Sequence, residues 1–277
     1  MQNAGLAALG LNWRYLAFDV YSDHLRPAIE GAKRMGFIGL NLTVPHKLLA
    51  LDMVDVLDDQ VRTWGAVNTI VFETRDSSNA WRPLGIADAP LDGEVRSRGF
   101  NTDADAIVQA LLEGLDLDSL RGMTVLLLGA GGAARAAALR LAQEGLAALN
   151  LVNRTQSRAA ELAAEIGKSC PGTRAVAGYP SESVDLVINA TSLGLNADDP
   201  LPIDLQWLQR HPPEFVYDMI YRPMETSLLR AARKAGCRAA NGAGMLLHQG
   251  TRALELWTGR PAPIEVMREA LGKNLYG

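Results

Sequence analysis

The order of apolar and polar positions divides this chain in two. From residue 124 to about 242, short apolar runs recur at 124–128, 148–153, 173–178, 185–190, 215–219 and 236–240, with helix-like stretches between them. Strands alternating with helices predict a parallel, doubly wound sheet joined by right-handed crossovers. The stretch 195–213, with Pro200, Pro202, Pro212 and Pro213, is less regular. Residues 1–103 carry a smaller α/β pattern. It predicts a helix over 3–10, a strand at 14–20, a helix near 24–35, a strand at 37–44, a helix from about His46 and a strand at 67–72. The segment 73–98, rich in Asp, Ser, Pro and Gly, predicts a long hairpin connection. A helix is expected over 103–114. After Gly242 the pattern turns helical again over 245–257, and this tail is expected to pack back on the first half.

Chemistry enters at residues 124–158. The apolar run TVLLL is followed at once by Gly129-Ala130-Gly131-Gly132-Ala133-Ala134, then by an alanine-rich helical segment reaching Gly145. This is the G-x-G-x-x-A form of the dinucleotide fingerprint, placed between a strand and a helix as it requires. Bare glycine backbone can approach a pyrophosphate, which then sits on the free N–H groups of the following helix. A glycine-rich turn alone is weak evidence. The end of the next predicted strand strengthens it, because Asn153-Arg154-Thr155 and Arg158 stand where an NAD enzyme usually places an acid for the ribose 2′-hydroxyl. Two guanidinium groups and no carboxylate suit a 2′-phosphate, so the expected cofactor is NADP. Solvated arginines opening a surface helix are the plainer alternative.

Together these patterns predict an α/β fold of two domains. Residues 104–243 would form a Rossmann-type, doubly wound NADP-binding domain. Residues 1–103, completed by 244–277, would form a smaller α/β substrate domain, with a cleft between the two to take a small ligand.

Composition narrows the class. The 277 residues are 48% hydrophobic and 21% charged, enough chain for two cores. A net charge of −4 and a pI near 5.6 argue against nucleic acid or an anionic membrane as partner. Two cysteines, Cys170 and Cys237, and the scattered His46, His211 and His248 show no metal-ligand spacing, so no metal is expected. No run approaches a membrane span, and no basic-then-apolar leader opens the chain. The expected compartment is the cytoplasm.

Four further segments stand out: Asn41-Leu42-Thr43-Val44-Pro45-His46-Lys47, Gly65-Ala66-Val67-Asn68-Thr69, Asn101-Thr102-Asp103, and Gly242-Ala243-Gly244-Met245 with Gln249. With GAGGAAR, NRTQSR and the 218–226 stretch DMIYRPMET, they resemble the shikimate dehydrogenase family over nearly the whole chain. The resemblance implies reversible, NADPH-dependent reduction of 3-dehydroshikimate to shikimate, in aromatic amino-acid biosynthesis. It assigns an acid–base pair to Lys47 and Asp103. Pro45 at the first helical position would put Lys47 in a helix's opening turn. General acid–base help of this kind contributes roughly 10²–10⁴ in rate. The plainer readings are a solvated lysine, and a helix start capped by Thr102 with Asp105 three residues on.

The resemblance also implies substrate contacts at Thr43, Asn68, Tyr221 and Gln249, and cofactor contacts at Gly242 and Met245. Thr191 falls where the carboxyl ends of parallel strands face a cofactor, and Met219 falls in the same class. Strand propensity, a turn, a half-buried tyrosine and a core methionine are the ordinary alternatives at these positions. One departure is marked. The family opens with a strand and a serine-rich loop ahead of the helix that Met1-Gln2-Asn3-Ala4 resembles, and neither precedes it here. The expectation is normal NADP binding with weak shikimate binding. Two smaller departures are Ala104, where a glycine commonly stands, and the long 73–98 insertion. The readings left open are a broader quinate/shikimate dehydrogenase and a catalytically silent NADP-binding regulatory protein. A methylene-tetrahydrofolate dehydrogenase explains fewer of the segments. The expected partner is a small-molecule substrate, on a monomer or homodimer.

Overall fold

The computed structural model describes residues 1–86 and 93–277, apart from the side chain of Gln60. It divides into two compact units. The first is Met1–Asp103, Gln249–Leu275 and Gly277; the second is Ala104–His248 and Tyr276.

In chain order the first part contains α1 (Gln2–Ala8), α2 (Leu25–Arg34), β1 (Gly39–Asn41), α3 (His46–Leu49), β2 (Val56–Leu57), α4 (Asp59–Trp64), β3 (Thr69–Arg75), β4 (Trp81–Pro83) and β5 (Val95–Phe100). The sheet runs β1-β3-β5-β2, with β4 also paired to β3. Only the β2–β5 ladder is parallel among those described. α2 turns Leu25, Ile29 and Ala32 onto Val67, Ile70 and Phe72, the spacing of one helical face meeting the sheet.

Several expectations change here. No strand forms at 14–20. Leu16 and Phe18 are 64% and 61% exposed, and the Tyr15 backbone is taken by the Asn3 side chain instead of a ladder. Apolar alternation marks an extended chain, but a strand also needs a neighbour to pair with. The strand expected at 37–44 shortens to β1. The strand expected at 67–72 begins two residues later and runs on to Arg75, because Glu73 is buried and ion-paired at 2.7 Å with Arg96, its cross-strand partner. The 73–98 segment is therefore largely sheet, with β4 and β5 in it; its residues 87–92 lie outside the described residues. β2 and α4 were not legible.

The second part contains α5 (Asp103–Leu115), β6 (Thr124–Leu128), α6 (Gly132–Gln143), β7 (Ala148–Val152), α7 (Gln156–Ser169), β8 (Arg174–Ala177), β9 (Leu186–Asn189), α8 (Leu205–Arg210), β10 (Phe215–Asp218), α9 (Ser227–Lys234), β11 (Arg238–Asn241), α10 (Ala243–Thr258) and α11 (Ile264–Tyr276). Its sheet is wholly parallel, in the order β11-β10-β9-β6-β7-β8. All six apolar runs become strands, within two residues at either end. Order reverses at β6, which lies between β9 and β7, and open α/β sheets bind their ligands at the carboxyl end of such a switch point. Leu126, Leu128, Val187, Val216 and Leu228 share one core cluster.

Candidate active site and cofactor cradle

In the first unit, three chain-distant segments meet around Lys47 and Asn68. α3 begins at His46, with Pro45 as its N-cap residue and not its first helical one. Lys47 is thus the second residue of a four-residue helix. Its carbonyl accepts from the Val67 amide at 2.8 Å, tying α3 to the approach of β3. Its ammonium donates to Asp103 Oδ2 at 2.7 Å, with the two side chains 27% and 14% exposed. Asp103 is fixed by its own backbone, whose amide donates to Asn101 Oδ1, while Asn101 Nδ2 donates to the Ala66 carbonyl.

Asn68 is buried in the next layer. Its Oδ1 accepts from the Thr102 amide at 2.8 Å and from the Thr69 hydroxyl at 3.1 Å. Its Nδ2 donates to Gln249 Oε1 at 3.2 Å and to Thr102 Oγ1 at 3.0 Å. The Thr102 hydroxyl is therefore turned to Asn68, and the Asp105 carboxylate pairs with Arg140 at 2.8 Å, which is not the reciprocal cap considered from the sequence. Thr43 lies on the same 41–47 segment and is exposed; its carbonyl accepts from the His46 amide. Lys47, Asn68, Asp103 and Gln249 are thus brought together, with Thr43 near them in sequence. Tyr221 belongs to the second unit, exposed, its carbonyl accepting from the Tyr276 hydroxyl. Sequence reasoning missed Asn101 and Thr69, the residues that hold this group in shape. Their signal is membership of the 65–69 and 101–103 segments, in which the sequence assigns neither a role of its own.

The cofactor candidates all lie in the second unit. The turn after β6 opens on Gly129 at φ +114°, a left-handed conformation in which a side chain is strained. Gly131, Gly132 and Ala133 are exposed at the start of α6. A Cβ added at Gly131 or Gly132 would meet no described atom within 4 Å, so the surface of the turn is open where a pyrophosphate can approach. At the end of β7, Asn153 Nδ2 donates to the Thr155 carbonyl. Arg154 and Arg158 are exposed, and among the described residues neither pairs with a carboxylate. Two unneutralised guanidinium groups beside a bare helix start fit a 2′-phosphorylated dinucleotide. Thr191 follows β9, with its methyl 3.3 Å from where a Cβ at Gly129 would stand. Met219 and Gly242 approach so closely that a Cβ at Gly242 would lie 2.1 Å from the Met219 carbonyl oxygen. Met245 is half-buried in α10. Among the described residues no cluster of His, Cys, Asp or Glu could hold a metal ion, and no helix is long and apolar enough to cross a membrane.

A parallel sheet with a switch point, a glycine turn at it and free arginines at the next strand define a dinucleotide-binding oxidoreductase of the two-unit α/β class. Family models then match three stretches: the shikimate dehydrogenase substrate binding domain at residues 1–70, shikimate/quinate 5-dehydrogenase at 112–195, and the shikimate 5′-dehydrogenase C-terminal domain at 242–271. The shikimate dehydrogenase (NADP(+)) of Moorella thermoacetica is 42% identical, over 100% of this chain and 90% of its own. The Thermus thermophilus shikimate 5-dehydrogenase, solved with NADP(H) and shikimate, is 33% identical with a TM-score of 0.79, covering 99% and 92% of the two chains. The 5-ketofructose reductase of a Gluconobacter strain has the same TM-score at 32% identity, covering 99% and 92%. The chain belongs to the shikimate dehydrogenase family. It is an NADP-dependent oxidoreductase acting on a CH–OH group.

Proposed function

We propose that the chain interconverts 3-dehydroshikimate and shikimate, with Lys47 as the acid–base and Asp103 as the carboxylate that holds it. Bound NADPH supplies the hydride. Lys47 protonates the carbonyl oxygen as the carbon is reduced, and in the reverse direction takes the hydroxyl proton. Asp103 keeps the amine aimed and stabilises its charged form. Asn68, Gln249, Thr43 and Tyr221 contact the substrate hydroxyls. Gly129, Ala130, Gly131, Gly132 and Ala133 receive the pyrophosphate, and Asn153, Arg154, Thr155 and Arg158 the 2′-phosphate end. Thr191, Met219, Gly242 and Met245 line the nicotinamide end. On this reading residues 1–103 with the C-terminal helices form the substrate domain and 104–243 the NADP domain, working in the cytoplasm as a monomer or homodimer.

The observation that carries the reading is the 2.7 Å contact of Lys47 with Asp103, 56 residues away, together with the bond of buried Asn68 to half-buried Gln249. A solvated lysine or a simple helix cap would not need that convergence. Lys47→Ala is expected to lower turnover by roughly 10²–10⁴ while the NADP dissociation constant stays at the wild-type value. The assay follows oxidation of shikimate and of quinate, with NADP and NAD in parallel. Unchanged turnover in the variant would end the acid–base assignment.

A further inference from the structure

The strand ends of the second unit hold a buried carboxylate that the acid–base pair does not use. Asp218 closes β10 with no exposed surface, and among the described residues no cation pairs with it. Its Oδ2 accepts from the Thr226 hydroxyl at 2.6 Å; its Oδ1 accepts from Asn189 Nδ2 at 2.9 Å and from the Ile220 amide at 3.1 Å. Burial pushes its carboxyl above the ordinary value, against the pull of these three donors. Asn189, equally buried, closes β9 directly beside it in the parallel register.

Counting protons along this chain of bonds gives a definite result. A carboxylate only accepts, so Asp218 fixes which way the Asn189 amide faces. The second N–H of that amide reaches the Leu193 carbonyl at 3.2 Å. Its oxygen accepts from the Thr191 amide at 3.0 Å and from the Thr191 hydroxyl at 2.7 Å. The Thr191 oxygen also accepts from the Leu193 amide at 3.1 Å. A hydroxyl has one proton and two lone pairs. The proton is committed to Asn189 and one lone pair to Leu193, so a single acceptor position is left. The methyl on the same Cβ stands beside the Gly129 turn.

We propose that Asp218 and Asn189 are positioning residues that hold the Thr191 hydroxyl as an acceptor toward a donor on the nicotinamide-riboside half of NADP. The donor is a carboxamide N–H or a ribose O–H. A phosphate is excluded, because its oxygens also need a donor and Thr191 has no proton to give. The half is set by strand order: Arg154 and Arg158 follow β7 on one side of β6, and Thr191 follows β9 on the other. The inference rests on the cofactor lying at the Gly129 turn as proposed above.

The test measures dissociation constants by calorimetry for the full chain and the variants Thr191→Val, Thr191→Ser and Asn189→Ala. Three probes are used: NADP, its 3-acetylpyridine analogue, which lacks a carboxamide N–H, and adenosine 2′,5′-bisphosphate, which lacks the nicotinamide half. Thr191→Val is expected to bind NADP about tenfold more weakly and the bisphosphate unchanged, with Thr191→Ser restored. Asn189→Ala should match Thr191→Val, and the double variant should lose no more than either, the mark of one shared interaction. An equal loss with the acetylpyridine analogue assigns the donor to the ribose; no loss with it assigns the carboxamide. Wild-type NADP affinity in Thr191→Val, or an equal loss for the bisphosphate, overturns the proposal. Should Asn189→Ala fail to fold, Thr191→Val decides alone. Shikimate oxidation by the unaltered chain is a separate measurement, so the failure of one reading does not masquerade as failure of the other.

Discussion

At the scale of single residues, the distinction is between side chains with partners and those without. Arg154 and Arg158 stand exposed and, among the described residues, free of carboxylates, whereas Arg75, Arg82, Arg96, Arg98, Arg135 and Arg140 each pair with one. Arg154→Ala is therefore expected to weaken NADP binding by about tenfold, one charge-assisted hydrogen bond, and to leave NAD binding nearly unchanged. Equal losses for the two cofactors would remove the 2′-phosphate assignment. Asp218 carries a pH signature. Its carboxyl is held above its ordinary 3.8 by burial, so its contribution to stability is full below that value and is lost as pH rises through the raised folded value. Asp218→Asn cannot lose it. The melting temperature of the variant relative to wild type should therefore climb as pH rises above that ordinary value, and a difference that does not change with pH would contradict the sign. Asn68 shows what a residue-level reading could reach. Its polarity in an apolar run marked it, but only the fold showed that Thr69, Thr102 and Gln249 surround it.

Elements were legible where they carried their own pattern. The four inner strands of the parallel sheet, β6, β7, β9 and β10, are buried almost throughout, and such strands read as continuous apolar runs bounded by turns. In the first sheet β1, β2 and β4 are only two or three residues long, and β3, β4 and β5 carry charges. β2 is two residues long, too short for any periodicity. It is held by a side-chain exchange: the Asp55 amide donates to the Ser97 hydroxyl at 2.9 Å, and the Ser97 amide and hydroxyl both donate to Asp55 Oδ2. Desolvation raises the Asp55 carboxyl, but the two Ser97 donors and Lys33 outweigh it and set it below its ordinary value. Its contribution is therefore present at neutral pH and lost as pH falls through the depressed folded value. Ser97→Ala removes a fully buried hydroxyl and leaves the Asp55 amide without its acceptor, and about 1–2 kcal/mol of stability should go with it at pH 7. Urea midpoints at pH 7 check this, and an unaltered midpoint would show that water or a rearranged loop replaces the hydroxyl.

At the scale of the whole molecule, the C-terminal helices complete the first unit although they follow the second in the chain. Trp257 in α10 donates from its indole nitrogen to the Ile70 carbonyl at 3.0 Å and packs with Val71 and Ala253. Trp257→Ala is expected to cost about 3–5 kcal/mol in urea unfolding. The cofactor residues belong to the other unit, so the folded variant should still bind NADP. Loss of NADP binding in the folded variant would show that the units do not hold their cores independently.

The sequence by itself determined the parallel sheet, the glycine turn, the arginines after β7 and the family, because each is built from short local patterns, read singly or in order along the chain. Local pattern encodes burial on a strand or helix face, and it needs no distant partner. Tertiary structure alone decided whether 14–20 pairs, how a buried Glu73 extends β3, and which groups share a hydrogen-bond network. Those outcomes depend on what lies across a gap in space, and no periodicity along the chain records it. The meeting of Asn189 with Asp218 is of that second kind, whereas that of Lys47 with Asp103 was implied by the resemblance and no spacing along the chain encodes it.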